Sequence, residues 1–101
     1  MVDISKTELL REYERALRAV DDPDTYDTEA LLALTARDVI EDRWADLSSD
    51  DRELVARLDD QLAARHHVVA EVLPEDNIRD RRRWWWFLNE GPQVRKESQA
   101  A

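Results

Sequence analysis

Apolar residues recur along this chain at the three- and four-residue spacing of an amphipathic α-helix, and no long stretch alternates as a strand would. The only glycine is Gly91, and the three prolines stand at positions 23, 74 and 92. Because glycine and proline interrupt helices, they divide the chain into four helical segments and a tail. The pattern predicts an all-α fold, a small three- to four-helix up-and-down bundle with a frayed C-terminal tail.

The first half of the chain contains two predicted helices. The first runs from about Ser5 to Val20, because Ser5 and Glu8 form a capping-box pattern at its start. The second starts after Asp27 and continues to Leu47. The predicted inward faces are Leu10, Tyr13, Leu17 and Val20 on the first helix, and Leu32, Ala36, Val39, Ile40, the stem of Arg43 and Leu47 on the second.

A third helix is predicted from Ser48, which precedes Asp51 by three residues as in a capping box, to Leu73, after which Pro74 ends it. At ~1.5 Å per residue this helix would be about 36 Å long, so its far end needs a cover. Apolar residues repeat along it at seven-residue spacing, as in Val55, Leu62 and Val69. The pattern fits an ordinary bundle helix, or an antiparallel hairpin of the second and third helices that pairs with a second copy of the chain.

The fourth segment is predicted to be a helix that starts near Asp76 or Asp80. It should end at Gly91, since glycine readily adopts the left-handed conformation that closes a helix. The residues beyond are polar or small, which is typical of a frayed terminus. We therefore expect a single helical domain over residues 1–91 and a flexible C-terminal tail over residues 92–101.

Length and composition narrow the class of protein. A chain of 101 residues has room for one hydrophobic core, and the absence of cysteine leaves no disulfide and no thiolate metal site. No run of residues is apolar enough to cross a membrane, and the N-terminus lacks the pattern of a signal peptide. These features predict a cytoplasmic protein with no membrane contact.

The net charge of −9 is unevenly distributed. Residues 21–60 contain fourteen acids and four bases, whereas residues 61–101 contain six acids and seven bases. This polarity could orient a protein partner or a second copy in a homodimer. An acidic excess is also what a host with high internal salt requires, and in that case it carries no information about partners.

The aromatic-basic segment, Arg81–Leu88, is the part of the sequence best suited to contact with a partner. Its three tryptophans and one phenylalanine are consecutive, and successive helical positions lie about 100° apart, so the four rings point in every direction around the axis. Either the rest of the protein covers this helix on both sides, or at least one ring is exposed. Tryptophan and arginine often dominate the energetics of interfaces. The predicted partner-binding residues are Arg79, Arg82, Arg83, Trp84, Trp85, Trp86 and Phe87.

The sequence offers little for catalysis, metal binding or cofactor binding. His66 and His67 point about 100° apart on a helix and cannot share one metal ion, while His67 and Glu71 provide only half of a site. No glycine-rich phosphate loop and no nucleophile motif occurs. We therefore expect no enzymatic activity, no metal and no cofactor.

Two alternatives to protein binding are open. A magnesium-dependent all-α phosphohydrolase would hold its ion with carboxylates that converge in one pocket. Its candidates are Asp38, Glu41 and Asp42 with Asp59 or Asp60, although the first three belong to the face expected to be solvated. The second alternative is a single-stranded nucleic-acid binder that uses the aromatic-basic segment, since arginines beside aromatic rings grip phosphates and stack bases. The acidic middle of the chain disfavours nucleic acid.

The sequence therefore predicts a non-enzymatic, small, acidic helical protein that acts by binding another protein, as an adaptor or regulator. The aromatic-basic segment is the expected main contact, and the acidic second helix is a second one. One specific version is an antitoxin-like neutraliser that masks a basic nuclease, by analogy of size and charge alone. Homo-oligomerisation is another, and the identity of the partner is not encoded in any motif.

Overall fold

The computed structural model describes residues 5–74 and 77–100, and within them all regular structure is helical, as the hydrophobic pattern predicts. The α-helices are α1 (Lys6–Ala19), α2 (Tyr26–Asp42), α3 (Ser49–Ala64), α4 (His66–Val69) and α5 (Val94–Ala100). Three 3₁₀ helices lie at Trp44–Asp46, Ala70–Val72 and Trp84–Glu90. The three- to four-helix up-and-down bundle is therefore only part of the architecture, because short helices and 3₁₀ turns complete it.

Helix α1 forms as its sequence predicts. The Ser5 side chain accepts a hydrogen bond from the Glu8 backbone N–H at 3.2 Å and so caps the first turn. The expected apolar stripe is confirmed, since Tyr13 and Leu17 are fully buried and Leu10 and Val20 nearly so. This stripe packs along α2 and onto α3, which makes α1 one wall of the core.

Helix α2 is rotated relative to the face that its leucines suggest. It starts earlier than predicted, with Thr25 rather than Asp27 at the N-cap, and ends at Asp42 rather than Leu47. Leu32, predicted to face inward, is 40% exposed, whereas Arg37 is only 4% exposed. Arg37 turns inward because its Nε donates to the buried Asp59 carboxylate at 3.0 Å, and the buried face is Ala30, Ala33, Leu34, Ala36, Arg37 and Ile40.

Helix α3 begins as predicted and ends early. Ser48 and Asp51 form a complete capping box, with both reciprocal hydrogen bonds at 3.1 Å. The helix ends at Ala64 rather than Leu73, because the chain bends at Arg65. The Arg65 guanidinium reaches back to the Asp21 carboxylate at 2.9 and 3.0 Å and secures the bend. A straight helix would project from a molecule whose radius of gyration is 13.1 Å, and the bend brings the following residues into the core instead.

The C-terminal part also differs from expectation. The fourth segment is a 3₁₀ helix that ends at Gly91, whose φ of 110° and ψ of 168° belong to a region open almost only to glycine. The predicted start at Asp76 lies outside the described residues. Where the sequence predicts a frayed tail, Val94–Ala100 form α5, and Val94 is only 3% exposed. Burial of the Val94 side chain therefore holds in place a segment whose polar composition predicts a frayed terminus.

None of the helices in the described ranges is both long and apolar enough to span a membrane. The core beneath these helices is a single cluster that joins α1, α2, α3 and the 3₁₀ helix at Trp84–Glu90. It contains aliphatic side chains from the helices together with four large aromatic rings from one short segment. Those rings form the buried part of the candidate site.

Replacement of Ser48 by alanine tests the capping box. Ser48→Ala removes the acceptor for the Asp51 N–H, and we expect the free energy of unfolding to fall by about 1 kcal/mol. Urea denaturation followed by circular dichroism measures this loss. The control is Ser49→Ala, because Ser49 is an exposed residue in the first turn of the same helix. Equal stability of the two variants would contradict the assignment of Ser48 as the cap.

Candidate functional site: a buried tryptophan segment beneath an arginine-lined cleft

The tryptophan segment, Trp84–Glu90, buries all four of its consecutive aromatic rings. Trp84, Trp85, Trp86 and Phe87 are exposed by 3%, 0%, 4% and 6%. Of the two alternatives that the angular spacing leaves open, the structure shows the covered segment, and none of these four rings is exposed. The segment packs against α2, α3 and α4 and is also covered by α5, so rings that point in different directions each meet another element. The backbone assists, because Phe87 departs from helical geometry at φ −122° and ψ 20°.

One carboxylate oxygen fixes this segment on α2. Asp38 Oδ1 accepts hydrogen bonds from the indole N–H groups of Trp85 and Trp86, both at 2.8 Å. The same oxygen accepts from Arg83 Nη1 at 3.0 Å, and Arg83 Nη2 also donates to Asp42 at 2.5 Å. Buried indole N–H groups need an acceptor, and Asp38 satisfies two of them. Asp38, a candidate magnesium ligand in the sequence, is thus already surrounded by donors.

A second carboxylate lies deeper in the core. Asp59 Oδ1 accepts from the Tyr13 hydroxyl at 2.7 Å and from Arg37 Nε at 3.0 Å, and all three side chains are buried. Burial raises the pKa of Asp59, although Arg37 and Tyr13 oppose the shift by favouring the ionised form. Burial and the neighbouring Asp59 also raise the pKa of Tyr13 well above its ordinary value. This network joins α1, α2 and α3 at one point.

Each buried ring of the tryptophan segment has an arginine over its face. The guanidinium-to-ring distances are 5.5 Å for Arg95 over Trp84, 4.3 Å for Arg37 over Trp85, 3.8 Å for Arg79 over Trp86 and 4.4 Å for Arg81 over Phe87. These distances lie within the range of cation–π attraction. The rings therefore act from beneath the surface, as supports for positively charged groups.

A cleft of about 440 Å³ opens beside the segment. Its walls come from α2, α3, α5 and the loop before the tryptophan segment. They comprise Arg37, Glu41, Trp44, Arg52, Ala56, Asp59, Arg82, Trp84, Arg95 and Ser98. Four arginines and two carboxylates line it. Two further carboxylates, Asp60 and Asp80, pair with Arg95 and Arg82, so arginines and carboxylates balance around the cleft. We call it the arginine cleft.

The predicted partner-binding residues differ in how exposed they are. Arg79 and Arg82 are exposed, whereas Arg83 is partly buried and engaged by Asp38 and Asp42. The four predicted rings lie inside. A role of these residues in binding a partner stays a prediction, but in the folded chain only the exposed arginines are accessible to it.

Sequence reasoning missed the residues that organise the site. The sequence predicts Tyr13 in the core but not its polar role, and it assigns neither Arg37 nor Asp59 to the core. The spacing carries a signal: Arg37 lies three residues from both Leu34 and Ile40, and Asp59 lies four residues after Val55 and three before Leu62. Opposite charges in the apolar stripes of two helices predict a buried ion pair.

The other candidate ligands do not come together. Among residues 5–74 and 77–100, no group of three or more histidine, aspartate and glutamate side chains could hold a metal ion. His67 is exposed. Asp38 is bound by indoles and an arginine, while Asp59 is bound by Tyr13 and Arg37. The two carboxylates thus serve separate networks of donors.

Removal of the Tyr13 hydroxyl tests the deep network. Tyr13→Phe keeps the ring but deprives Asp59 of a donor, so we expect a loss of about 1.5–3 kcal/mol at neutral pH. The hydrogen bond lowers the pKa of Asp59, and its loss raises that pKa further. The full cost is therefore present above the folded-state pKa of Asp59 in both the wild type and the variant. It shrinks as the pH falls through these two pKa values. Urea denaturation across acidic and neutral pH measures it.

The matched control is Tyr26→Phe, because Tyr26 also has a carboxylate neighbour, Glu71, but at the surface. We expect that variant to lose less than about 0.5 kcal/mol. Equal losses for the two variants, or a cost of Tyr13→Phe that grows as the pH falls, would contradict the role given to Asp59.

Comparison of the chain with protein-family models, with curated proteins and with solved structures returned no match. The function must therefore be inferred from the chemistry of the chain's own side chains. Two features offer such chemistry: arginines that are stacked on buried rings, and a cleft next to them that several arginines line. Both lie on or beside the tryptophan segment.

Proposed function

We propose that this chain is a non-enzymatic protein-binding module that holds an acidic segment of a partner protein on its arginine face. The arginine face consists of Arg79, Arg81 and Arg82, which are exposed and precede the tryptophan segment. The observation that carries the proposal is the stacking of Arg79 on Trp86 and of Arg81 on Phe87. The aromatic-basic segment would then contact its partner through arginines, with the rings as their support.

Stacking matters because a free arginine side chain is flexible. Binding normally orders such a side chain at a cost of roughly 0.5–1.5 kcal/mol. Arg79 lies 3.8 Å from the centre of the Trp86 ring, and Arg81 is held both by Phe87 and by Glu90, at 2.5 and 2.9 Å. Both guanidinium groups are thus ordered before a partner arrives. Arg79 has no ion pair among the described residues and can bind a carboxylate with little further loss of freedom, whereas Arg81 is already paired with Glu90.

The net charge of −9 does not prevent contact with an acidic segment. Screening at physiological salt reduces interactions between exposed charges beyond about 8 Å, while the molecule measures 36 Å along its longest axis. Local charge therefore decides what binds at the arginine face. A short acidic stretch on an otherwise mixed surface suits this arrangement better than a uniformly charged polymer does.

The alternatives receive less support from the geometry. Single-strand binders stack bases on exposed rings, and here all four rings are covered by other elements. A magnesium hydrolase needs converging carboxylates with free oxygens, whereas Asp38 and Asp59 are occupied by donors. A homodimer stays open as a version of protein binding, because the acidic surface of a second copy could serve as the acidic partner.

Peptide binding tests this proposal. A fluorescent glutamate-rich peptide should bind the chain, more weakly as salt is added, and anisotropy measures the affinity. We expect Arg79→Gln and Arg82→Gln each to weaken binding by about threefold to tenfold. The control is Arg18→Gln, because Arg18 is an exposed arginine with a carboxylate partner, as Arg82 is, but lies on α1.

Three results would contradict the proposal. They are no binding at low salt, equal effects of Arg82→Gln and Arg18→Gln, and tighter binding of a labelled single-stranded oligonucleotide than of the peptide. The last result would favour the nucleic-acid alternative. Circular dichroism on each variant shows that the fold is retained.

A further inference from the structure

The arginine cleft contains a buried guanidinium that is only partly satisfied. Arg37 is 4% exposed and donates through Nε to Asp59 at 3.0 Å. Its Nη1 is buried and has no hydrogen-bond partner among the described residues. The carboxylate oxygen of Glu41 lies 3.9 Å away, which is too far for a hydrogen bond. Stacking between Trp44 at 5.4 Å and Trp85 at 4.3 Å leaves this guanidinium little freedom to turn toward another acceptor.

A second arginine in the same cleft shows the same feature. Arg95 Nε is buried without a hydrogen-bond partner in the described part of the chain. The remaining nitrogens of Arg95 are engaged, since Nη1 contacts the Asp60 carboxylate and Nη2 donates to the Ala56 carbonyl at 3.1 Å. Arg37 on α2 and Arg95 on α5 therefore each have one buried donor without a partner among the described residues, and both side chains line the same cavity.

Unsatisfied buried donors are rare in folded proteins, and each costs roughly 1–3 kcal/mol. Two of them on arginines of one cleft indicate an absent acceptor. We propose that the arginine cleft is a binding site for a single carboxylate or phosphate group, whose oxygens accept from Arg37 and Arg95. The exposed side chains of Arg52 and Arg82 also line the cleft, and Arg82 is already paired with Asp80.

The dimensions and chemistry of the cleft fit such a group. A cavity of about 440 Å³ accommodates a small molecule or the end of a side chain. Arginine presents its donors in a planar fork that matches the oxygens of carboxylates and phosphates. Trp44 and Trp84 line the cavity as well, so a ligand that carries apolar carbon next to its anionic group has surface to cover.

This site goes beyond the arginine face proposed above, because it lies inside the cleft and requires no protein partner. The anionic group can belong to a free metabolite or to an acidic side chain of a bound protein. Glu41 sets the affinity in either case, since its negative charge near Arg37 repels an incoming anion.

Anion titration tests the site. Two-dimensional ¹H–¹⁵N NMR spectra resolve the indole N–H signals. Inorganic phosphate, acetate and the glutamate-rich peptide are added in separate titrations at constant ionic strength. We expect saturable shifts of the Trp44 and Trp84 indole signals. Glu41→Gln should tighten phosphate or acetate binding by about fivefold, because it removes one negative charge a few ångströms from the ligand. Arg95→Gln should weaken it by at least as much.

The control is Glu14→Gln, which makes the same charge change on α1, outside the cleft. The proposal is overturned if none of the three probes shifts the indole signals, or if Glu14→Gln and Glu41→Gln have equal effects. Saturation by phosphate or acetate identifies a site for free anions, and saturation by the peptide alone identifies a site for a partner's carboxylate. Loss of peptide binding in Arg79→Gln with retained phosphate binding separates this site from the arginine face. Since Glu41 is partly exposed, its variant stays informative if Arg95→Gln fails to fold.

Discussion

The position of the tryptophan segment depends on the hydrogen bonds that the Asp38 carboxylate accepts. The segment Trp84–Glu90 consists of 3₁₀ turns that are interrupted at Phe87, and such turns have weak internal hydrogen bonds. Asp38 supplies what the backbone lacks, because one of its oxygens accepts from two indole N–H groups and from Arg83. Those contacts orient Trp85 and Trp86, and the orientation of these rings positions the arginines that stack on them. Because Arg79 is exposed and stacks on Trp86, the acid on α2 helps to position one positive charge at the surface.

Arg37 and Asp38 are consecutive, and they connect the two polar networks of the protein. Arg37 enters the core to meet Asp59 and also stacks on Trp85, while Asp38 holds Trp85 by its indole N–H. Trp85 is therefore fixed from both its face and its edge. Replacement of either residue would therefore affect Trp85, which both residues contact.

Much of the fold follows from local sequence, and much of the site does not. The Ser48 capping box and the α1 stripe are local features, and the sequence predicts both correctly. The rotation of α2, the bend at Arg65 and the burial of the rings depend on contacts between residues far apart in the chain. The sequence leaves open whether one ring is exposed or the segment is covered on both sides, because the kink at Phe87 and the packing against several elements are not local features. The sequence shows that several arginines lie close to the aromatic residues, but it cannot show which ring each arginine covers.

The stability of Asp38→Ala compared with Asp42→Ala tests this account most directly. Both residues lie on α2 and pair with Arg83, but only Asp38 accepts from the indoles. The account predicts that Asp38→Ala lowers the free energy of unfolding by about 2–5 kcal/mol and makes the tryptophan fluorescence more accessible to acrylamide. Asp42→Ala should cost less than about 1 kcal/mol, as an exposed ion pair does. Equal costs and unchanged quenching in both variants would contradict the central role of Asp38.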